Sequence, residues 1–224
     1  MSAYRVRLTG NWSDATFRHC VQGAYGFYLS NFLRGLDAPF VFIDIGANQG
    51  LFSIIAAENR ECLQVYCFEP NDEIAAIIRS NVILNKRRNV TVKELAISDS
   101  NRPSQLVIKP NHSGVATLRQ TGHGNFGRHA KEVACINHVG LQDILGAHDC
   151  RMIVKIDVEG LEQTVVTELS LCPFFAQVTD VFYEVDERWV DPDRIREVLS
   201  EHGMNAFTTV GAGLHYDVHA TRGV

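Results

Sequence analysis

Four acids stand where apolar runs stop, and each is placed to do chemistry. Asp44 closes the first run, in a stretch reading VFIDIGANQGLF over 41–52, and Gly46, Asn48 and Gly50 follow it. Glu69 closes the next run and is followed by Pro70 and Asn71. Asp157 ends a third, with Lys155 two residues before it and Glu159 and Glu162 just after, and Glu184 sits in a fourth, Phe182-Tyr183-Glu184-Val185. Glycines in such a turn let the backbone come close to another group and take up positive φ. The helix expected behind them, 51–59, offers free N–H groups and partial positive charge. A strand that ends on an acid, turns through glycines and enters a helix suits a nucleoside-like ligand.

The glycine pattern narrows that ligand. G-x-G-x-x-G would put glycines where the chain has Asn48 and Leu51, so a dinucleotide is disfavoured, and the phosphate-cradling G-x-x-x-x-G-K-[ST] is absent. A carboxylate before the turn would repel a pyrophosphate. An acid at the end of the second strand of a doubly wound sheet accepts hydrogen bonds from two ribose hydroxyls, and Glu69 has that place. A ribose without phosphates and with positive charge describes S-adenosylmethionine. The plainer reading of Asp44 and Glu69, as caps of the helices after them, is weaker because both lie at the carboxyl ends of strands, where ligands bind.

Lys155 and Asp157 share one face of a central strand by parity. Charges buried there need partners or a use. For Lys155 the structural reading is an ion pair with Glu184 on the neighbouring strand. Glu159 and Glu162 fall in the first turn of the next expected helix, 159–171, where acids offset the helix dipole. Asp157, Glu159 and Glu184 can converge on one cleft as catalytic groups. Hard oxygen ligands would suit Mg²⁺ rather than zinc, but no metal is expected. Among the nine histidines, His112, His123, His129 and His138 fall between 100 and 140, and His112, in Asn-His-Ser-Gly, is the leading imidazole for a general base.

The elements that must position these residues alternate. Strands are expected at 40–45, 63–68, 90–95, 152–158, 180–185, 205–210 and 215–221, with helices at 51–59, 72–84, 159–171 and 191–202. Near-continuous apolar strands separated by helices imply an α/β, doubly wound and mostly parallel sheet covered on both faces. Residues 1–38 form an N-terminal helical cap, with 13–36 split by Gly23 and Gly26. The 100–140 region, rich in Gly, His, Asn and Ser, reads as a β-type insertion with short strands at 105–109 and 133–136, and as the acceptor-binding loop. One domain spans 1–224.

Composition removes several function classes. Net charge is −5 over 224 residues, which argues against binding nucleic acid. No apolar run approaches a membrane span, and no secretory leader is read at the start. The six cysteines form no C-x-x-C pair and read as reduced, so a cytoplasmic protein is expected.

The chain resembles the FkbM family of S-adenosylmethionine-dependent methyltransferases. The resemblance rests on Ile43-Asp44-Ile45-Gly46-Ala47-Asn48-Gln49-Gly50, Phe68-Glu69-Pro70, Ala96-Ile97-Ser98-Asp99 and Val154-Lys155-Ile156-Asp157-Val158-Glu159-Gly160, in that order. It implies a class I, Rossmann-like methyltransferase sheet of seven strands with the last antiparallel. It also implies that Asp44, Gly46, Ala47, Asn48 and Gly50 line the methionine part of the cofactor, that Glu69, Pro70 and Asn71 hold the ribose, and that Ala96 and Ile97 flank the adenine. Asp157, by its place at the carboxyl end of its strand, is expected to face the sulfonium or the acceptor. The acceptor implied is a small hydroxylated molecule, a sugar, glycolipid or secondary metabolite, O-methylated. Two rivals stand beside this reading: a non-catalytic S-adenosylmethionine-binding module and, less favoured, a nucleotide-dependent oxidoreductase. The aromatic N-terminal helices serve as core or lid, and a homodimer through them is the other use.

Overall fold

The computed structural model describes residues 1–118 and 129–223. Along the chain run α1 (Ala15–Gln22), α2 (Phe27–Gly35), β1 (Phe40–Ile45), α3 (Leu51–Glu58), β2 (Cys62–Phe68), α4 (Asp72–Leu84), β3 (Val90–Lys93), β4 (Ala96–Ile97), β5 (Ser104–Lys109), β6 (His112–Thr117), β7 (His129–Val133) and β8 (Cys135–Ile136). Then come α5 (His138–Leu145), β9 (Arg151–Ile156), α6 (Glu162–Ser170), β10 (Val178–Asp186), α7 (Pro192–Glu201), β11 (Ala206–Ala212) and β12 (His215–Thr221).

Seven strands form the main sheet in the order β11-β12-β10-β9-β1-β2-β3. The pairs β3–β2, β2–β1, β1–β9 and β9–β10 are parallel, and β12 runs antiparallel to both β10 and β11. This is the expected class I arrangement, with the last strand reversed and inserted next to the edge.

Every residue of β1 is buried, because helices cover both faces. The period of two divides its side chains cleanly. Val41, Ile43 and Ile45 join Met152, Val154 and Ile156 of β9 in a core with α5, α6 and α7. Phe40 and Phe42 join Ile153 in a second core with α2 and α3, which adds Leu29, Leu33, Ile54 and Ile55. Asp44 and Lys155 have the parity of this second set, so both charges lie on the α2/α3 side.

The helix breaks follow the glycines. Asp14 caps α1 by accepting from the Phe17 N–H, Gly23 ends the helix at φ 74° and Gly26 opens α2 at φ 79°. The N-terminal helices therefore pack as core, while Phe27 and Tyr28 keep exposed edges.

The insertion holds more structure than its sequence suggests. A three-stranded antiparallel sheet, β6-β5-β7, stands apart from a short parallel pair, β4-β8. Strand β6 and helix α5 were not expected. Their signals are weak: β6 reads HSGVAT, with a glycine inside it, and α5 begins within the last residues of the insertion, with Asn137 as its cap. Among the described residues, no helix is long and apolar enough to cross a membrane.

Candidate active site

The turn after β1 is held by its neighbours. The Gly46 and Ala47 N–H groups donate to the Phe68 carbonyl at 3.0 and 3.1 Å. Gly46 has φ 74°, and a Cβ there would stand 1.8 Å from the Asp157 carbonyl oxygen. The close approach that demands glycine is thus made to the chain's own backbone. Gly50 also has φ 74°, with Ile78 2.8 Å from where its Cβ would lie.

Behind the turn lies a buried ion cluster. Asp44 is fully buried and accepts from Ser53 Oγ at 2.6 Å. Lys155 Nζ stands 3.4 Å from Asp44 Oδ1 and 3.2 Å from Asp157 Oδ2, and donates to the Gly46 carbonyl at 2.8 Å. Burial alone would lower the Lys155 pKa, but Asp157 and Asp44 outweigh it and hold the ammonium charged. The expected Lys155–Glu184 pair is therefore corrected. The register sets Lys155 opposite Asp44 on β1 and opposite Phe182 on β10, so Glu184 lies two residues beyond reach. Lys155 instead ties β1, β9 and the glycine turn together at the point where the cleft opens.

That cleft, about 820 Å³ of unfilled space partly continuous with solvent, is lined by Gly46, Ala47, Asn48, Glu69, Pro70, Ala96, Ile97, Asp157 and Glu159. The expected cofactor residues Asp44, Gly50 and Asn71 lie behind its wall: Asp44 anchors Lys155, Gly50 makes room for Ile78, and Asn71 caps α4. Glu69 accepts from Asn48 N–H and Asn71 N–H, both at 3.0 Å, one bond to each carboxylate oxygen. Each oxygen keeps a further lone pair for a ligand hydroxyl. Burial pushes the Glu69 carboxyl up to about 7, against the pull of those two N–H groups. Leu95, Leu106 and Phe68 add apolar wall beside Ala96 and Ile97, a surface for a flat ring.

The sequence reading missed the seam over this cleft. Ser113 of β6 donates from its N–H to Asp14 at 2.8 Å, and its Oγ lies 3.1 Å from Asp14 Oδ1 and 3.0 Å from Asn48 Oδ1. Gly114 N–H donates to Thr16 Oγ1 at 2.8 Å. The cap of α1, the insertion and the glycine turn are thus joined by one small hydroxyl. Nothing at Ser113 flags this in sequence, because its partners lie 65 and 99 positions away.

A broad outer cavity continues from the cleft and is lined by Asp157, Glu159, Glu184, Asp186, Asp217 and His215, with Tyr25, Trp189 and Tyr216 as aromatic neighbours. Asp157, Glu159 and Glu184 each present an oxygen within 4.8 Å of the others, so the three acids do converge, at a spacing that can hold a cation or hydroxyl groups. Helix α6 begins at Glu162, later than expected, which leaves Glu159 in the loop at φ 55°. Such a backbone is uncommon outside glycine and often marks functional loops. Burial, then Asp157 and Glu184, push the Glu159 carboxyl up to about 9. Glu162 turns inward and accepts from the Val158 and Gly160 N–H groups at 3.0–3.1 Å, bracing this loop.

The histidines divide differently from expectation. His112 lines the outer cavity, with Nδ1 3.4 Å from Thr16 Oγ1, and burial lowers its pKa. His138 is bound to Glu168 at 2.9 Å, His129 is exposed at the start of β7, and His123 lies outside the described residues. Among the described residues, the imidazole that touches the acid trio is His215, unremarked in sequence, with Nε2 2.7 Å from Glu184 Oε1. Burial lifts the Glu184 carboxyl to about 7, and Asp157 adds to the rise while His215 opposes it. The six cysteines are free thiols.

No curated protein sequence is significantly similar to the chain. Among solved structures, a ribosomal protein L11 methylase from Lactobacillus delbrueckii subsp. bulgaricus aligns over 88% of this chain and 80% of its own, at TM-score 0.51 and 12% identity. TrmK of M. capricolum, in complex with S-adenosyl-homocysteine, aligns over 88% and 69% at TM-score 0.51 and 12% identity. The precorrin 8W decarboxylase of Methanobacterium thermoautotrophicum aligns over 97% of both chains at TM-score 0.51 and 13% identity. These likenesses establish the fold. The model of the methyltransferase FkbM domain matches residues 44–205, running from the acid before the glycine turn to the start of the last strand pair, and the chain therefore belongs to the FkbM methyltransferase family.

Proposed function

We propose that the protein is an S-adenosylmethionine-dependent O-methyltransferase acting on a small hydroxylated acceptor. The observation that carries this reading is the junction at Asp157, which lines both the inner cleft with Glu69 and the outer cavity with Glu159 and Glu184. Glu69 suits a ribose, the Leu95–Ile97 wall suits an adenine, and the lining offers no phosphate cradle. The S-adenosyl-homocysteine held by TrmK supports the same cofactor class for this fold. When bound, S-adenosylmethionine supplies a methyl group already activated for displacement by a sulfonium.

The chain's own residues position the acceptor and take its proton. Asp157 is fixed by Lys155, so its free edge offers a hydrogen-bond acceptor at the boundary of cleft and cavity. Glu184, raised to about 7 and paired with His215, is poised to accept a hydroxyl proton near neutral pH. Glu159, whose carboxyl stays protonated at neutrality, serves as a hydrogen-bond donor to an acceptor oxygen. No step in this scheme needs a metal. His112 lies towards the outer side and contacts the distal part of the acceptor.

Calorimetry with S-adenosylhomocysteine and with NAD tests the cofactor: binding of the former and not the latter is expected, and the reverse would end the methyltransferase reading. A methyl-transfer screen over glycosides, polyketides and amines then tests the acceptor, and turnover on amines alone would overturn the O-methyl assignment.

A further inference from the structure

A separate hollow, about 510 Å³ of unfilled space, opens on the α2/α3 side of the sheet and meets the inner cleft at Tyr25, Phe52, Lys155 and Asp157. Its wall is aromatic and fixed. His219 stacks on Phe182 with ring centroids 3.9 Å apart and 14° between planes. Asp180 accepts from His219 Nε2 at 2.8 Å, and Tyr28 Oη lies 3.0 Å from the other ring nitrogen. Phe32 stands edge-on behind both rings at 4.9 and 5.0 Å. Leu29 and Val218 complete the inner lining, with Val210 at the rim.

The polar atoms that reach this inner wall are already engaged. Both nitrogens of His219, the Tyr28 hydroxyl and the Lys155 ammonium each have partners. A hydroxyl-rich group placed here would lose water without gaining hydrogen bonds, which is unfavourable. A flat apolar group would lose nothing and would gain stacking surface. The polar groups that do remain available, Glu184 and Asp217, stand at the rim beside Asp157.

We propose that this hollow holds an aryl or similarly flat apolar part of the acceptor, so that the methylated hydroxyl is carried next to such a group and the substrate is not a wholly hydrophilic sugar. This inference rests on the methyltransferase reading. It assigns Leu29, Phe182, Val210, Val218 and His219 as specificity-determining residues.

The probe is 2-naphthol, titrated calorimetrically into the chain saturated with S-adenosylhomocysteine. Naphthol should bind alongside the nucleoside, and Leu29→Phe, which fills the hollow from within, should weaken it tenfold or more. The affinity for S-adenosylhomocysteine should stay within twofold, which also reports that the variant is folded. Val210→Trp fills the same space from an exposed edge strand and should act alike if Leu29→Phe perturbs the core. Absent naphthol binding, displacement of naphthol by the nucleoside, or equal affinity in a folded filled variant would each overturn the proposal while leaving the cofactor assignment intact. Failure of S-adenosylhomocysteine to bind the wild-type chain would instead overturn the methyltransferase reading, and the acceptor assignment with it.

Discussion

Around the glycine turn, the chain fixes its charges with neighbours in register: Asp44 and Lys155 face one another on adjacent strands, Asp157 follows two residues later, Ser53 donates to Asp44 and the Gly46 carbonyl accepts from Lys155. Around the outer cavity, carboxylates gather from β10, the loop before α6 and β12, and His215 and Arg188 relieve their mutual repulsion only in part. The inner cleft is therefore a rigid frame, with one ammonium shared between two carboxylates. The outer cavity is left under electrostatic tension, with Glu159 at about 9 and Glu184 at about 7. Perturbed carboxyls of this kind cluster where proton chemistry is done. A frame that must hold one cofactor can be permanently paired, whereas a region that handles a proton needs groups that change state.

Breaking the frame should have the largest effect. Lys155→Met leaves Asp44 buried without its counter-charge, and such a loss costs about 3–5 kcal/mol. A fall in Tm of about 6–20 °C is expected in a chain of this size, and a Tm within 3 °C of wild type would show that the cluster does not hold the fold. Glu69→Gln comes next. Losing a charged acceptor for ligand hydroxyls should weaken S-adenosylhomocysteine by about 1.5–3 kcal/mol, read as a rise in Kd of tenfold or more. The same variant sharpens the pH behaviour. The Glu69 carboxyl is raised in the fold, so the stability it contributes is fully present below about 4.5 and lost as pH rises through about 7. Denaturation of Glu69→Gln should show a flatter stability profile over that window.

The outer cavity should respond in activity more than in stability. Turnover should fall as pH drops through about 7, because protonation of Glu184 removes the proton acceptor. The Glu184–His215 pair titrates as a unit, so His215→Ala should shift that limb upward rather than abolish it. An unmoved limb would take the pair out of the proton path. Glu159→Gln should stabilise the free protein above neutrality, since its raised carboxyl loses stability as pH rises from about 4.5 towards 9. Ser113→Ala removes one hydroxyl from the seam and should weaken nucleoside binding by only about 0.5–1.5 kcal/mol. The smallest effect is expected from chelation: turnover in EDTA should stay within twofold of that with Mg²⁺, and a larger loss would make the acid trio a metal site.

Much of the frame is legible in the sequence. The strand 40–45 and the helix 72–84 match β1 and α4 to the residue, because a continuous apolar run and a capped amphipathic run are local signals. The acids at strand ends were legible for the same reason. The insertion was not. Strand β6 contains Gly114 and owes its place to Asp14 and Thr16 rather than to its own propensity. The partner of Lys155 is not a local property either, since parity gives a face but only strand order and register give the residue opposite. His215 carries no local signal, because its meaning comes from Glu184 across an antiparallel pair.

By itself, the sequence determined the alternating α/β architecture, the glycine turn that follows an acid-bearing strand and the family to which the turn and the Lys155–Gly160 segment point. Those properties reside in hydrophobic period, glycine placement and charge at strand ends, which neighbouring residues set. Only the tertiary structure decided that Lys155 is shared between Asp44 and Asp157, that Ser113 joins cap, insertion and turn, and that His219 and Phe182 wall an apolar hollow beside the cleft. Those arrangements depend on strand order, on register and on helices packed from distant parts of the chain, and no local pattern encodes them.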